Sequence, residues 1–146
     1  MTAAPRASRY PRAEAVVASQ LDAYNARDID AFMAAWHDDA QILAYPGTMI
    51  ANGAEEIRAR HLIRFRDDVL AAKLRSRTCV GDLVVDHETV TRSFAAGPRE
   101  VEVVGIYQVE NGRIRAALFR ECAVRVPLNR EPFPRPPAAA AGSRRP

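Results

Sequence analysis

The chain is 146 residues long and 48% apolar, enough for one core without a metal or disulfide scaffold, and its two cysteines, Cys79 and Cys122, lack the spacing of a zinc site or a redox pair. Its formal charge of +3 lies in the ends: residues 1–12 and 128–146 each carry +3, which leaves 13–127 at −3 and argues against nucleic-acid binding, since a phosphate-binding surface needs its basic residues on a structured face. No stretch approaches the roughly 18 apolar residues of a membrane span and the N-terminus lacks an apolar leader core, so a cytoplasmic protein without membrane contact is expected.

Residues 1–12 hold Arg6, Arg9 and Arg12 with no acid and read as a disordered basic arm before a domain over 13–127. From Ala13 to Arg27 the residues Val17, Leu21 and Tyr24 recur at helical spacing, with Gln20 inside the stripe, which predicts a first helix. Asp28 is placed to cap a second, short helix with Ile29, Phe32, Met33 and Trp36 inside and Asp38-Asp39 at its end. Gln41 to Tyr45 reads as a strand stopped by Pro46-Gly47. A third helix follows Asn52-Gly53, with Glu55 and Glu56 in its first turn and Ile57, His61, Leu62 and Phe65 on its apolar stripe.

From Leu74 to Glu121 the pattern is a β-meander. It runs as a long strand to Val85, a turn at Asp86-His87-Glu88, a strand to Phe94, a turn at Ala96-Gly97-Pro98 and a strand through Val109. Asn111-Gly112 then gives a strong hairpin signal before a last strand to Glu121. The order is ααβαββββ, an α+β class. The strands over 101–109 and 114–119 are apolar on both faces, so helices are expected on one face and a second copy of the chain on the other. The homodimer surface would be Val104, Ile106, Ala116 and Leu118. Residues 128–146, rich in proline, alanine and arginine, read as a disordered tail.

A helix, then Asn25-Ala26-Arg27-Asp28-Ile29-Asp30, a short helix reaching Trp36, Asp38-Asp39-Ala40, a strand, and Gly53 opening a third helix together resemble the nuclear transport factor 2 superfamily, in its SnoaL-like and ketosteroid isomerase-like branch. The resemblance covers roughly residues 13–122. It implies a cone-shaped domain, three helices packed on a strongly curved, antiparallel or mixed sheet, often dimeric, around a pocket for a small molecule. Isomerases, cyclases, dehydratases, hydrolases and non-catalytic binders share that fold, so it does not fix an activity. Ketosteroid isomerase uses a carboxylate base with a tyrosine and a protonated aspartic acid as oxyanion donors. Matched to this chain, those positions fall at Ala44 or Tyr45, at Gln20 and near Gly105. None of the three groups is kept, and steroid isomerisation is not expected.

Other residues can still do chemistry. His61 lies on the inward stripe of the third helix, where burial lowers its pKa; it reads either as an acid or base or as a core histidine bonded to backbone. Arg92, between Val90 and Phe94 at period two, points inward and reads either as a ligand contact or as an ion pair with a core acid such as Glu121. Tyr45 would join Arg92 in polarising an oxygen of the ligand. Gln20, Tyr24, Trp36, Ile57, Tyr107, Arg115 and Phe119 are the remaining expected pocket residues. Asp86-His87-Glu88 reads as a solvated turn. His37, His61 and His87 lack ligand spacing, so neither a metal nor another cofactor is expected. Three functions stay open: an enzyme of proton-transfer type acting on a small carbonyl-bearing compound, a non-catalytic binder, and a dimerising accessory module.

Overall fold

The computed structural model describes residues 11–122, and the expected basic arm and C-terminal tail lie outside that range apart from Pro11 and Arg12. Its elements are α1 (Pro11–Ala26), α2 (Ile29–Ala34), β1 (Trp36–Ala44), β2 (Thr48–Asn52), α3 (Ala54–Arg64), β3 (Ala71–Val80), β4 (Leu83–Phe94), β5 (Gly97–Glu110) and β6 (Arg113–Glu121). The strands form one curved, unclosed sheet in the order β2-β1-β6-β5-β4-β3. All neighbours are antiparallel except β1 and β6, which run parallel, so the sheet is mixed and the class is α+β with a cone-like shape.

The segment that carried the resemblance works as a set of ties. Asn25 exchanges two hydrogen bonds with the backbone of Ala72 at the start of β3, at 2.9 and 2.8 Å. Arg27, at φ 55°, donates to the carbonyls of Asp67, Asp68 and Leu70 and so closes the link between α3 and β3. The Asp28 carboxylate caps α2 by accepting from the Ala31 N–H at 3.1 Å. At the other end, Asn111 and Gly112 both take positive φ and close the β5–β6 hairpin as a left-handed two-residue turn.

Two groups of side chains fill the inner side of the sheet. Val17, Phe32, Trp36, Ile57, Tyr107 and Ile114 centre one, while Leu21, Leu70, Val90, Val101 and Val103 centre the other. Tyr24, Phe65 and Phe119 touch both groups.

The sheet departs from the expected element order in three places. The second helix ends at Ala34, and Trp36 opens β1, so Asp38 and Asp39 lie exposed in a strand rather than ending a helix. Pro46-Gly47 turns the chain after a cis Tyr45–Pro46 bond into the short strand β2, which pairs with β1. The third difference matters most for function. Asp86-His87-Glu88 is the middle of β4, and the turn lies at Gly81-Asp82, with Gly81 at φ 66°. Despite its three polar residues the segment keeps strand alternation, in which Val84, Asp86, Glu88 and Val90 all point inward.

Candidate functional site

A cavity of about 410 Å³ opens between the concave face of the sheet and helices α1 and α3. Its walls come from α1 (Gln20, Leu21, Tyr24), α3 (Arg60, His61, Arg64), β1 (Trp36, Ile42, Ala44), β4 (Glu88, Val90, Arg92) and the inner faces of β5 and β6. The size suits a small organic molecule.

The floor holds the chemistry. Asp86, fully buried, takes both of its contacts from Arg77, at 2.7 and 2.9 Å. Glu88, two residues along the same face and 5% exposed, has an Oε1 with no partner among the described residues. Burial first, and then the nearby negative charge of Asp86, pushes the Glu88 carboxyl up from 4.5 to about 7, against the pull of Arg77. Gln20 Oε1 and Trp36 Nε1 line the same cavity, are also buried, and also lack partners. With the Nε of Arg92, another residue lining this cavity, four such unpartnered polar atoms are costly unless something in it bonds them. Tyr107 is buried among them, and burial raises its phenol well above the usual value, which keeps it a neutral donor.

His61 lies on the opposite wall. Its Nδ1 donates to the Ile57 carbonyl at 2.7 Å, which leaves a lone pair on Nε2, and its ring packs on Phe32 with centroids 4.3 Å apart. Burial lowers its pKa from 6.5 to about 4, with Arg60 and Arg64 adding to that effect against the Ile57 bond. The ring is therefore neutral near pH 7, an acceptor and a weak base. The backbone-bonded core histidine and the cavity-facing ring are the same residue.

The remaining expected residues divide by position. Gln20, Tyr24, Trp36, Tyr45, Arg92, Tyr107 and Phe119 line the cavity with His61. Arg92 also donates to Glu121 at 2.9 Å, which is the ion pair expected of it, while its side chain lines the cavity. Tyr45 is 54% exposed and stands at the rim, with the Arg120 guanidinium 5.6 Å from its ring centroid. Ile57 is fully buried in the core and does not line the cavity. Arg115 is a correction: a register shift between Gln108 and Val109 accompanies an exposed Arg115, which pairs with Asp39 away from the cavity. Leu62 likewise faces solvent rather than the core.

Glu88 is the residue that sequence reasoning missed. Its signal was present, since Glu88 sits in strict alternation with Val84 and Val90. Gly105 also explains itself: an added Cβ would lie 2.9 Å from the Tyr107 ring and 3.0 Å from the Phe119 ring, so no oxyanion acid fits at that position. Among the described residues, no group of three His, Cys, Asp or Glu side chains is arranged to hold a metal ion, and no helix is long and apolar enough to cross a membrane.

No curated protein matches the chain in sequence. Among solved structures it is similar to an uncharacterised cystatin-fold protein from Novosphingobium aromaticivorans, 28% identical, with a TM-score of 0.67 over 75% of this chain and 97% of that one. An LEH-like epoxide hydrolase of M. tuberculosis is 21% identical, with a TM-score of 0.66 over 77% and 84% of the two chains. IdmH from Streptomyces antibioticus, a candidate polyketide cyclase, is 18% identical, with a TM-score of 0.64 over 75% and 91%. The last two likenesses are of fold alone. The model of the SnoaL-like domain matches residues 17–117, and the chain belongs to that family, within the nuclear transport factor 2-like superfamily.

Proposed function

We propose that the domain is an enzyme of proton-transfer type acting on a small carbonyl-bearing compound, with Glu88 as the group that carries the proton. The observation that supports this reading is a buried carboxyl with an unpaired oxygen on the cavity and a pKa of about 7, which makes both of its forms available at neutral pH. Ionised Glu88 takes a proton from the carbon next to the carbonyl. The C–H electron pair becomes a C=C bond as the C=O π pair moves onto oxygen, giving an enolate conjugated with a neighbouring C=C of the substrate, and Glu88 returns the same proton at the far carbon of that system while the C=O re-forms. Trp36 Nε1 is the unpartnered donor for the developing oxyanion, and the neutral Tyr107 phenol is a second. His61 Nε2 accepts a hydrogen bond from the substrate, while Arg92 and Tyr45 act at the rim rather than at the reacting atoms.

A screen of enones and lactones is the test, run with wild type, Glu88→Gln and His61→Ala. The expected result is a kcat/KM that rises with pH through a break near 7 and falls by about a hundredfold or more in Glu88→Gln, with a smaller loss in His61→Ala. Equal rates for wild type and Glu88→Gln would remove Glu88 from the mechanism. Binding with no turnover by any of the three would favour the non-catalytic binder.

The outer face of β5 and β6 supports pairing of two copies. Val104 is 38% exposed, and Ile106, Ala116 and Leu118 beside it are half-buried. Light scattering at micromolar concentration should give twice the 16.1 kDa chain mass, and Val104→Glu should shift it to the monomer.

A further inference from the structure

Arginine surrounds the mouth of the cavity on three sides. Arg60 and Arg64 stand one turn apart on α3, Arg120 comes from the end of β6, and Arg92 from β4. Arg60, Arg64 and Arg120 have no carboxylate partner among the described residues. The carboxylates nearby are engaged elsewhere: Glu121 holds Arg92, and Asp67 accepts from the Ser93 N–H and hydroxyl at 2.8 Å each. Arg60 and Arg64 also line a shallow groove that continues outward from the mouth past Ile63 and Asp67. Neighbouring cations crowd Arg64: burial first, and then Arg92 and Arg60, lower its pKa, opposed by Tyr24 and Glu121.

Between this rim and the floor the walls are apolar or aromatic, from Tyr24, Val90, Val103 and Phe119. The floor then offers the unpartnered Glu88, Gln20 and Trp36 atoms. A molecule that satisfies both ends has an anionic group outside, an apolar body, and a polar oxygen inside. We infer that the mouth of the cavity is an anion site and that the ligand is a small carboxylic acid, held by Arg60, Arg64 and Arg120 with its reacting oxygen at the floor. This inference rests on the pocket-enzyme reading and names the substrate class for it. Guanidinium groups suit the role because their planar forks match carboxylate oxygens and stay charged at every working pH.

The experiment is a competition titration on the full chain. N-phenyl-1-naphthylamine, an uncharged dye that brightens in apolar cavities, reports occupancy. 2-Naphthylacetate and 2-naphthylacetamide, which share one ring and differ in charge, compete for it. The acid should displace the dye at a concentration about tenfold lower than the amide, because charge-assisted hydrogen bonds to arginine exceed neutral ones. That ratio should fall to about one in the Arg60→Gln/Arg64→Gln variant, whose replaced residues hold no ion pair among the described residues and whose melting temperature should be unchanged. Glu88→Gln should keep the ratio. If the dye binds and acid and amide compete equally, the anion site is overturned while the pocket reading stands. An acid preference that survives in the double variant also overturns it. If the dye does not bind at all, the pocket reading fails and takes the anion site with it.

Discussion

Two arginine–carboxylate pairs stand on the inner side of the same sheet, and they differ in how far water reaches them. Arg77 and Asp86 are 11% and 0% exposed and share two bonds; Arg92 and Glu121 are 12% and 48% exposed and share one. The first pair is closed. Asp86 takes both contacts that Arg77 gives it, so Glu88 beside them feels the charge of Asp86 without a bonded cation of its own. The second pair is open, and Arg92 Nε has no partner among the described residues. A closed pair tunes a neighbour, whereas an open pair stays available to a ligand.

Breaking the closed pair should have the largest effect. Arg77→Met leaves the Asp86 carboxylate buried without a cation, which costs about 3–5 kcal/mol in urea denaturation. Arg77→Met/Asp86→Leu should recover most of that loss, since no charge is then stranded. A single variant that loses less than about 1 kcal/mol would mean the floor admits water.

The next effect separates the two titrating walls of the cavity. Glu88 has a folded pKa of about 7 against 4.5, so the folded state holds its proton more tightly; its contribution is full below 4.5 and is lost as pH rises to 7. His61 has a folded pKa of about 4 against 6.5, so its contribution is full above 6.5 and is lost as pH falls to 4. Each amounts to roughly 3 kcal/mol over its window, with opposite sign. Between 4.5 and 6.5 the two slopes oppose each other, and wild-type stability should be nearly flat. Glu88→Gln should expose a stability that rises with pH, and His61→Gln one that falls. Urea midpoints at several pH values in this window check both, and a flat Glu88→Gln profile would contradict the buried, neutral His61.

These same walls separate what the sequence reveals from what it hides. The helical stripes of α1 and α3, the Asp28 cap and the Asn111-Gly112 hairpin follow local rules, and the sequence carries them openly. His61, Arg92, Tyr107 and Phe119 were legible as inward residues because each sits in phase with apolar neighbours. Glu88 and Asp86 were not. Three polar residues in a row look like a turn unless one knows that Arg77, nine positions earlier and across a hairpin, neutralises the middle of the strand. Tertiary pairing overrides local polarity there. Arg115 failed for a related reason, since a shift in register beside the hairpin changes which side chains face in.

A smaller effect tests the floor without touching charge. Gly105 lies opposite Asp86 in the β4–β5 register, and the Tyr107 and Phe119 rings meet above it edge to face, with centroids 5.6 Å apart. Gly105→Ala should push one ring into the cavity, cost about 1–3 kcal/mol, and weaken dye binding; the thermal midpoint and the dye titration measure the two.

The open pair should show the smallest stability change and yet the clearer functional one. Glu121→Gln removes a half-exposed charge, so the urea midpoint should move by no more than about 1 kcal/mol. If the rim is a place for anions, the same change removes the carboxylate that competes with a ligand for Arg92. The acid should then compete more strongly, by less than about tenfold, while the amide is unaffected. The opposite pattern, a large loss of stability with no change in acid binding, would make Arg92–Glu121 a second closed pair. The contrast between floor and mouth would then come from burial alone and not from a division of work.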